Sequence, residues 1–406
     1  MTEPTLLNDF PDHTREDWRA LAEKGLRGAA FETLQSQTED GLARGPLFDE
    51  ANRPENHNAA PRVSAPLLSG RPWHICAPVM DPDGAFANEQ LLADLKGGAT
   101  AVRIMGGTFA RKADLKRLLE DVFLDLVPVV IAPGNDAAQF APQLDSLRGT
   151  PVTLGLDPLS DLPDIPEGWR AFTANAAAIH EAGGMDALEL AGFAATTAEA
   201  FRKHSPKVHH HMSALLAVGP DAHLNIVKIR AARRLYAAVA GAFSIETPTL
   251  PIHVITSQRM MQSTDAWTNM LRTMSAGFGA VTGGADYITT RPFTDTSDRL
   301  GDATPFGYRA ARNQQLLMME ESHLGQVQDA AYGSYFHERL TEDLAQAAWS
   351  KFQQIETGGG IEPYLTSGAF KADCEAGAEA RDDRNEPILG VTLHPSNDVP
   401  TPEVRS

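Results

Sequence analysis

The sequence predicts a (β/α)8 barrel entered through an extended N-terminal arm, and two observations carry most of that expectation. The first is the stretch from Pro251 to Phe293. It reads as a strand (PIHVITSQ), a polar helix-compatible run (STDAWTNMLRTMSAGFG) and a second strand (AVTGGADYITTRPF). Strand, crossover helix and parallel strand make the βαβ unit, which stacks into open sheets or barrels. The second is the recurrence of that beat along the chain, over a length that suits one barrel of ~250 residues with appendages. A doubly wound sheet, the competing architecture, should place a spaced glycine turn after its first strand. Met105-Gly106-Gly107 is too short and unspaced for that fingerprint.

In chain order, residues 1–70 read as an arm for subunit contact, 71–360 as the barrel and 361–406 as a tail. Asp12 to Leu26 has helical spacing, with Trp18, Leu21, Ala22 and Leu26 on one face and a capping Asp or Thr ahead of it. The following run to about residue 63 is polar, rich in Pro and Asn, and lacks periodicity, so it must wrap another surface or move freely. Pro82 to Gly98 reads as an amphipathic helix stopped by two glycines. Then come TAVRIM (strand), ADLKRLLEDVFLD (helix), LVPVVIAP (strand), AAQFAPQLDSLR (helix) and PVTLGLDP (strand). GWRAFTANAA (strand) leads to EAGGMDALELAGFAATTAEAFRKH (helix), and MSALLAVG (strand) to DAHLNIVKIRAARRLYAAVAGAF (helix). The βαβ unit follows, and after it two helices, RAARNQQLLMMEES and ERLTEDLAQAAWSKFQQIE. That makes about seven clear strands, with Ala330–Phe336 as the candidate eighth. The tail shows one helix and then loop.

Bulk properties exclude some partners. The 406 residues carry a net charge of −18, which leaves no basic footprint for nucleic acid or an anionic membrane. A small anionic ligand needs only a local basic pocket and stays compatible. Cys76 and Cys374 form no CxxC pair and suit reduced cytosolic thiols. No apolar run approaches the ~18 residues of a membrane span. The acidic N-terminus does not fit a secretory signal, so the expected setting is cytoplasmic.

Several constellations invite chemistry. His204, His209, His210 and His211 include three neighbours that point to alternate faces of an extended segment, so they read as a loop before a strand rather than a metal site. Glu320-Glu321 reads as an exposed helix end. Arg230, Arg233 and Arg234 lie on a long helix with an apolar stripe and read as a solvated or interface face. His253 and Arg291 sit at strand ends, where barrels place their chemistry, and are expected to face the mouth. There Arg291 could hold a carboxylate or phosphate. Ser257, Gln258, Thr289, Asn175, His180 and Arg103 complete the candidate barrel-mouth set. No metal ligand set emerges, and from these residues alone no catalytic set does either.

Longer stretches resemble the methylmalonyl-CoA mutase family. IVKIRAARRLYAAV, TDAWTNMLRTMSAGFGAVTGGADYIT and the run from ARNQQLLMMEESHLG to AAWSKFQQIE are similar to motifs of its barrel. DWRALAEKGLRGAAFETLQSQTEDGLARGPLF resembles its opening arm, and EPILGVTLHP a segment beyond the barrel. The likeness runs from about Trp18 to Pro395. It implies an acyl-CoA mutase barrel in which CoA threads the axis and adenosylcobalamin, held by a separate C-terminal domain, caps the mouth. The cofactor carries the radical chemistry and the protein positions the migrating group.

Departures from the family pattern shape the functional expectation. Where the catalytic chain has Gly-Tyr-His before Glu-Ala-Gly, this sequence puts Ala177 and Ala178 in the Tyr and His places, and neither donates a hydrogen bond. His-Cys-Gln-Thr-Ser-Gly becomes His253-Val254-Ile255-Thr256-Ser257-Gln258, and Leu-His-Thr-Asn becomes Ile288-Thr289-Thr290-Arg291. The Arg-Gln-Tyr-Ala-Gly turn before the barrel is replaced by Ile75-Cys76-Ala77-Pro78-Val79. No Asp-x-His-x-x-Gly cobalamin motif occurs, so the resemblance implies a chain without the cobalamin domain. His180-Glu181-Ala182-Gly183 is similar to the motif of the family's small (β) subunit, which carries no active site. The resulting expectation is a catalytically silent barrel, binding no cofactor alone and meeting adenosylcobalamin through a catalytic partner subunit. Two alternatives remain: a substrate barrel whose cobalamin module is a separate chain, and a non-catalytic acyl-CoA or anion-binding protein. Pairing of the chain with itself is compatible with each.

Overall fold

Eight short segments are apolar enough on both faces to be buried twice over, and parallel strands covered by helices require that. In the computed structural model, which describes residues 13–55, 70–80, 85–105, 114–132, 147–246, 249–296, 302–395 and 398–405, these segments close into a parallel barrel. Its strands are β1 (His74–Val79), β2 (Ala101–Ile104), β3 (Val129–Ile131), β4 (Val152–Leu156), β5 (Arg170–Asn175), β6 (Met212–Val218), β7 (Ile252–Thr256) and β8 (Tyr287–Thr289). Closure comes from β8, which pairs Tyr287 with His253 on one side and with His74 on the other. The (β/α)8 expectation holds.

The eighth strand is not where the sequence placed it. It is β1, whose residues Ile75–Val79 stand above as the replacement for a turn ahead of the barrel, and its Pro78 is uncommon in a central strand. All six of its residues are buried, the mark of a strand covered on both faces. The candidate at Ala330–Phe336 instead forms a turn through Gly333 (φ 80°) and the start of a helix. At β8, the residues AVTG belong to the preceding helix, which ends at Gly284 in the left-handed conformation (φ 88°) that glycine adopts without strain.

The helices are α1 (Arg15–Gly25), α2 (Ala87–Lys96), α3 (Leu115–Leu118), α4 (Ala177–Glu181), α5 (Asp186–His204) and α6 (Ala222–Ala242). They continue as α7 (Asn269–Gly283), α8 (Pro305–Leu316), α9 (Tyr335–Thr357), α10 (Ile361–Thr366) and α11 (Ala369–Asp383). The run ADLKRLLEDVFLD keeps one helical turn, α3, and the tail holds two helices rather than one. The helix expected over AAQFAPQLDSLR lies largely outside the described residues.

Alternation along the strands divides two environments. Ile75, Val102, Ile104, Val129, Ile131, Val152, Val254 and Ile288 face the helices and join Leu190, Phe193, Ile229 and Leu340 in the main core. Residues of the other parity, among them Cys76, Arg103, Thr173, Ser213, Leu215, His253, Ile255 and Thr289, face the axis and are all buried.

The arginines of α6 correct a second expectation. Arg230 is fully buried, pairing with Glu338 at 2.6 Å and Asp329 at 3.1 Å, and Arg233 meets Asp286 at 2.9 Å. Arg234 reaches Glu338 at 2.9 Å. Buried charges persist only when paired, so these cations tie α6 to α9 and to β8 instead of facing solvent. Among the histidines, His204 bonds the Pro158 carbonyl and His211 the Trp169 carbonyl, in and beside a 3-10 turn before β6. Glu320 and Glu321 are exposed in a π-helical turn after α8.

The arm lies on its own barrel. Arg44 pairs with Asp221 at 2.6 Å, Phe48 meets the Phe336 ring edge-on, and Asp40 accepts the Ala187 N–H at 2.9 Å. Helix α1 has the capping box of Thr14 and Asp17, yet none of its side chains is buried.

Candidate functional site

The C-terminal ends of β5, β6 and β7 converge on a cavity of about 230 Å³ lined by His180, Asp186, Lys228, Ser257, Arg259 and Met260. Helix α4 follows β5 directly and carries His180 across to the end of β7. There His180 Nε2 lies 2.8 Å from Ser257 Oγ. That oxygen also accepts the Arg259 backbone N–H at 3.1 Å and keeps a second lone pair, so the His180–Ser257 bond can form with either ring tautomer. Burial, reinforced by nearby Lys228 and Arg259, holds His180 well below its ordinary range and keeps it neutral.

Behind it stands a buried charge network. Glu189 accepts the Ala217 N–H at 2.8 Å and Lys228 Nζ at 2.7 Å, and Lys228 also reaches Asp186 at 2.6 Å. Burial raises Glu189 and Lys228 opposes the rise. The two carboxylates keep Lys228 charged, with its pKa raised despite burial. Asp40, from the arm, is pushed up to about 7, first by burial and then by Asp186.

Two chemistries suggested by these residues fail on geometry. Ser257, His180 and Glu189 follow the order of a hydrolytic triad, but His180 Nδ1 is 3.6 Å from Glu189 Oε2, beyond hydrogen-bond range, and that oxygen is already spent on Lys228. The ligand atoms of His180, Asp186 and Glu189 lie within 4.8 Å of one another, as a metal site would require. The Lys228 ammonium already stands between the two carboxylates and serves as their cation. A metal ion does not fit.

The predicted mouth residues separate into groups. His180 and Ser257 share the cavity, and Gln258 adjoins it through a backbone N–H donated to Glu181 at 2.9 Å. Arg291 is committed, donating to the Thr256 carbonyl at 3.0 Å and to Asp295 at 2.7 Å. Asn175 is half-buried at the end of β5. His253 is not at the mouth. As the second residue of β7 it sits deep in the axis, its ring 4.2 Å from that of Tyr287, which stacks in turn on His74 at 4.4 Å. Arg103 and Thr289 are also interior and buried. Sequence reasoning missed Asp186, Glu189 and Lys228. Their signal was a lone charge inside an apolar helical run, LELAGF for Glu189 and NIVKI for Lys228.

Above this interior the axis is capped by an apolar cluster of Ala177, Leu215, Ala217 and Ile255, with Met105 packed against it. Residues 164–405 match the family model described as methylmalonyl-CoA mutase. The chain belongs to the methylmalonyl-CoA mutase family. It is 36% identical to the methylmalonyl-CoA mutase small subunit of Streptomyces virginiae, over 96% of this chain and 72% of that protein. The probable methylmalonyl-CoA mutase small subunit of Mycobacterium tuberculosis (strain ATCC 25618 / H37Rv) is 35% identical over 89% of this chain and 66% of its own length. For the methylmalonyl-CoA mutase small subunit of Propionibacterium freudenreichii subsp. shermanii the figures are 30%, 97% and 70%.

Proposed function

We propose that this chain is a small-subunit-type mutase barrel that supports methylmalonyl-CoA/succinyl-CoA isomerisation in a catalytic partner and performs no step of it. One observation carries the reading. Ala177 and Ile255, at the places of the family's Tyr and Gln, pack against each other's neighbours Leu215 and Ala217 in the apolar cap. A migrating carbonyl is stabilised by donors aimed at it, and losing one such donor costs roughly 10²–10³ in rate. Here those positions are not merely empty of donors; apolar side chains fill the space.

Adenosylcobalamin would supply the radical in the assembled enzyme. The apolar cap over the axis does not fit it or the thioester of an acyl-CoA, because its side chains offer neither a ligand nor a hydrogen-bond donor. The cofactor is accordingly assigned to the partner, with the arm of residues 1–70 as contact segment. The relatives from Streptomyces virginiae and Propionibacterium freudenreichii are small subunits by name, which agrees with a partnered role. A cytoplasmic setting suits two cysteines that are both free and buried. No helix among the described residues is long and apolar enough to cross a membrane.

The test is assembly and turnover. The purified chain, given methylmalonyl-CoA and adenosylcobalamin, should form no succinyl-CoA, and should co-elute with a catalytic large subunit added to it. Turnover by the chain alone would overturn the reading. Turnover on adding only a separate cobalamin-binding chain would replace it with that of a substrate barrel.

A further inference from the structure

Beneath the apolar cap, the barrel axis contains a guanidinium with no countercharge among the described residues. Arg103 lies on β2 opposite Pro78 of β1 and Val130 of β3, and shares the inward parity of Cys76, His253 and Thr289. It is 1% exposed. No acceptor on a described residue takes a hydrogen bond from it, and its Nε is buried without a partner. The charged neighbours that act on it are the Cys76 thiol and Arg291. Burial pushes that thiol up to about 11, so it stays neutral and supplies no charge. The carboxylates flanking β8 are taken, Asp286 by Arg233 and Asp295 by Arg291.

Two further orphans share the axis. His253, also 1% exposed, has neither ring nitrogen partnered. It is close enough to Arg103 for the guanidinium's charge to help keep it neutral, burial being the larger cause. A neutral imidazole still offers one N–H donor. Thr289 Oγ1 is buried with only the Cys76 thiol beside it. Register places Thr289 beside Ile255 and Tyr287 beside His253, so the two orphans stand one inward step apart on adjacent strands.

We infer that the axis of this barrel is a binding site for a small inorganic anion of halide size, held by Arg103 with donors from His253 and Thr289. The physical need is direct. A buried guanidinium cannot shed its proton at neutral pH, and an unpaired buried cation is far costlier than an unpaired polar group. Water could satisfy the hydrogen bonds but not the charge. Buried inward side chains on the strands beside these donors, Leu215 and Ile255 and the stacked rings of His253 and Tyr287, crowd the axis and favour a small ion over a bulkier one. The site would give the interior a structural ion in place of a substrate tunnel, and it stands or falls independently of the mutase assignment.

Thermal unfolding of the full chain at constant ionic strength, in sodium chloride or bromide against sodium gluconate, tests it. The halides should raise the midpoint by about 2 °C, by binding the folded state alone. The variant R103M should lose that difference while keeping its circular dichroism. Crystals grown in bromide should show anomalous density beside Arg103 Nε, a readout that stands even if R103M does not fold. No halide dependence in the native chain, halide dependence kept in R103M, or bromide absent from the axis would each overturn the inference.

Discussion

Asp40 shows how one side chain can couple the arm to the barrel. Its carboxyl accepts one free N–H in the first turn of α5, that of Ala187, a contact that favours the ionised form. Burial and the neighbouring Asp186 outweigh that contact and push it from 3.8 up to about 7. A carboxyl that holds its proton more tightly when folded contributes stability that is complete below its unfolded value and is lost as pH rises through the folded one. The chain should therefore lose stability at its arm contact as pH rises from about 4 to about 7, and level off above that. D40N, which keeps the size and cannot ionise, should flatten that part of the profile in urea titrations. An unchanged slope in D40N would assign the pH dependence to another group. None of this was legible in the sequence, because Asp40 and Asp186 are far apart in the chain and meet only through the fold. His180 and Ser257 were legible as candidates, since each stands at or just past a strand end. Their mutual hydrogen bond was not.

At the scale of elements, close packing of α6 on α7 depends on glycine at two turns of α7. A Cβ at Gly279 would stand 2.5 Å from the Ala222 carbonyl oxygen, and one at Gly283 3.0 Å from Ile226 Cα. G279A should thus force the helices apart and destabilise by about 1–3 kcal/mol in denaturant unfolding. Gly241, near the end of α6, has nothing within 4 Å of such a Cβ. G241A should leave stability unchanged or raise it by about 0.5–1 kcal/mol, through higher helix propensity. Equal effects at the two positions would remove packing as the explanation. The same helix shows what sequence patterning resolves and what it does not. The βαβ unit was recognisable from its beat, but β8 was drawn too long because AVTG is apolar enough for either state. The strand β1 is hidden in the sequence because its segment takes the place of a turn ahead of the barrel, and only closure of the barrel shows a strand there. Arg230 and Arg233 read as a polar face because their partners, Asp329, Glu338 and Asp286, lie far along the chain.

Considered whole, the molecule is a closed barrel with one helix, α1, held only lightly, through Arg15 to Asp49 and Asn52 and Trp18 edge-on against Phe31. Residues beyond α1 bind the arm firmly to the barrel, through Arg44 with Asp221, Asp40 with Ala187 and Arg384 with the Gln37 carbonyl. Helix α1 itself buries no side chain, and Leu21 is 69% exposed. An amphipathic helix whose apolar face is only partly covered is formed at some cost, and that cost is recovered when a second surface covers the rest. The proposed partnership supplies such a surface, which makes α1 the place where assembly and folding can be separated. L21E should leave the unfolding midpoint of the isolated chain unchanged, since Leu21 contributes nothing to its core. It should weaken association with a catalytic large subunit by about tenfold or more, as an apolar anchor replaced by a charge does at an interface centre. Sedimentation at graded concentrations reads the association and calorimetry reads the midpoint. A lowered midpoint with association intact would place Leu21 in the chain's own fold and move the contact surface away from α1.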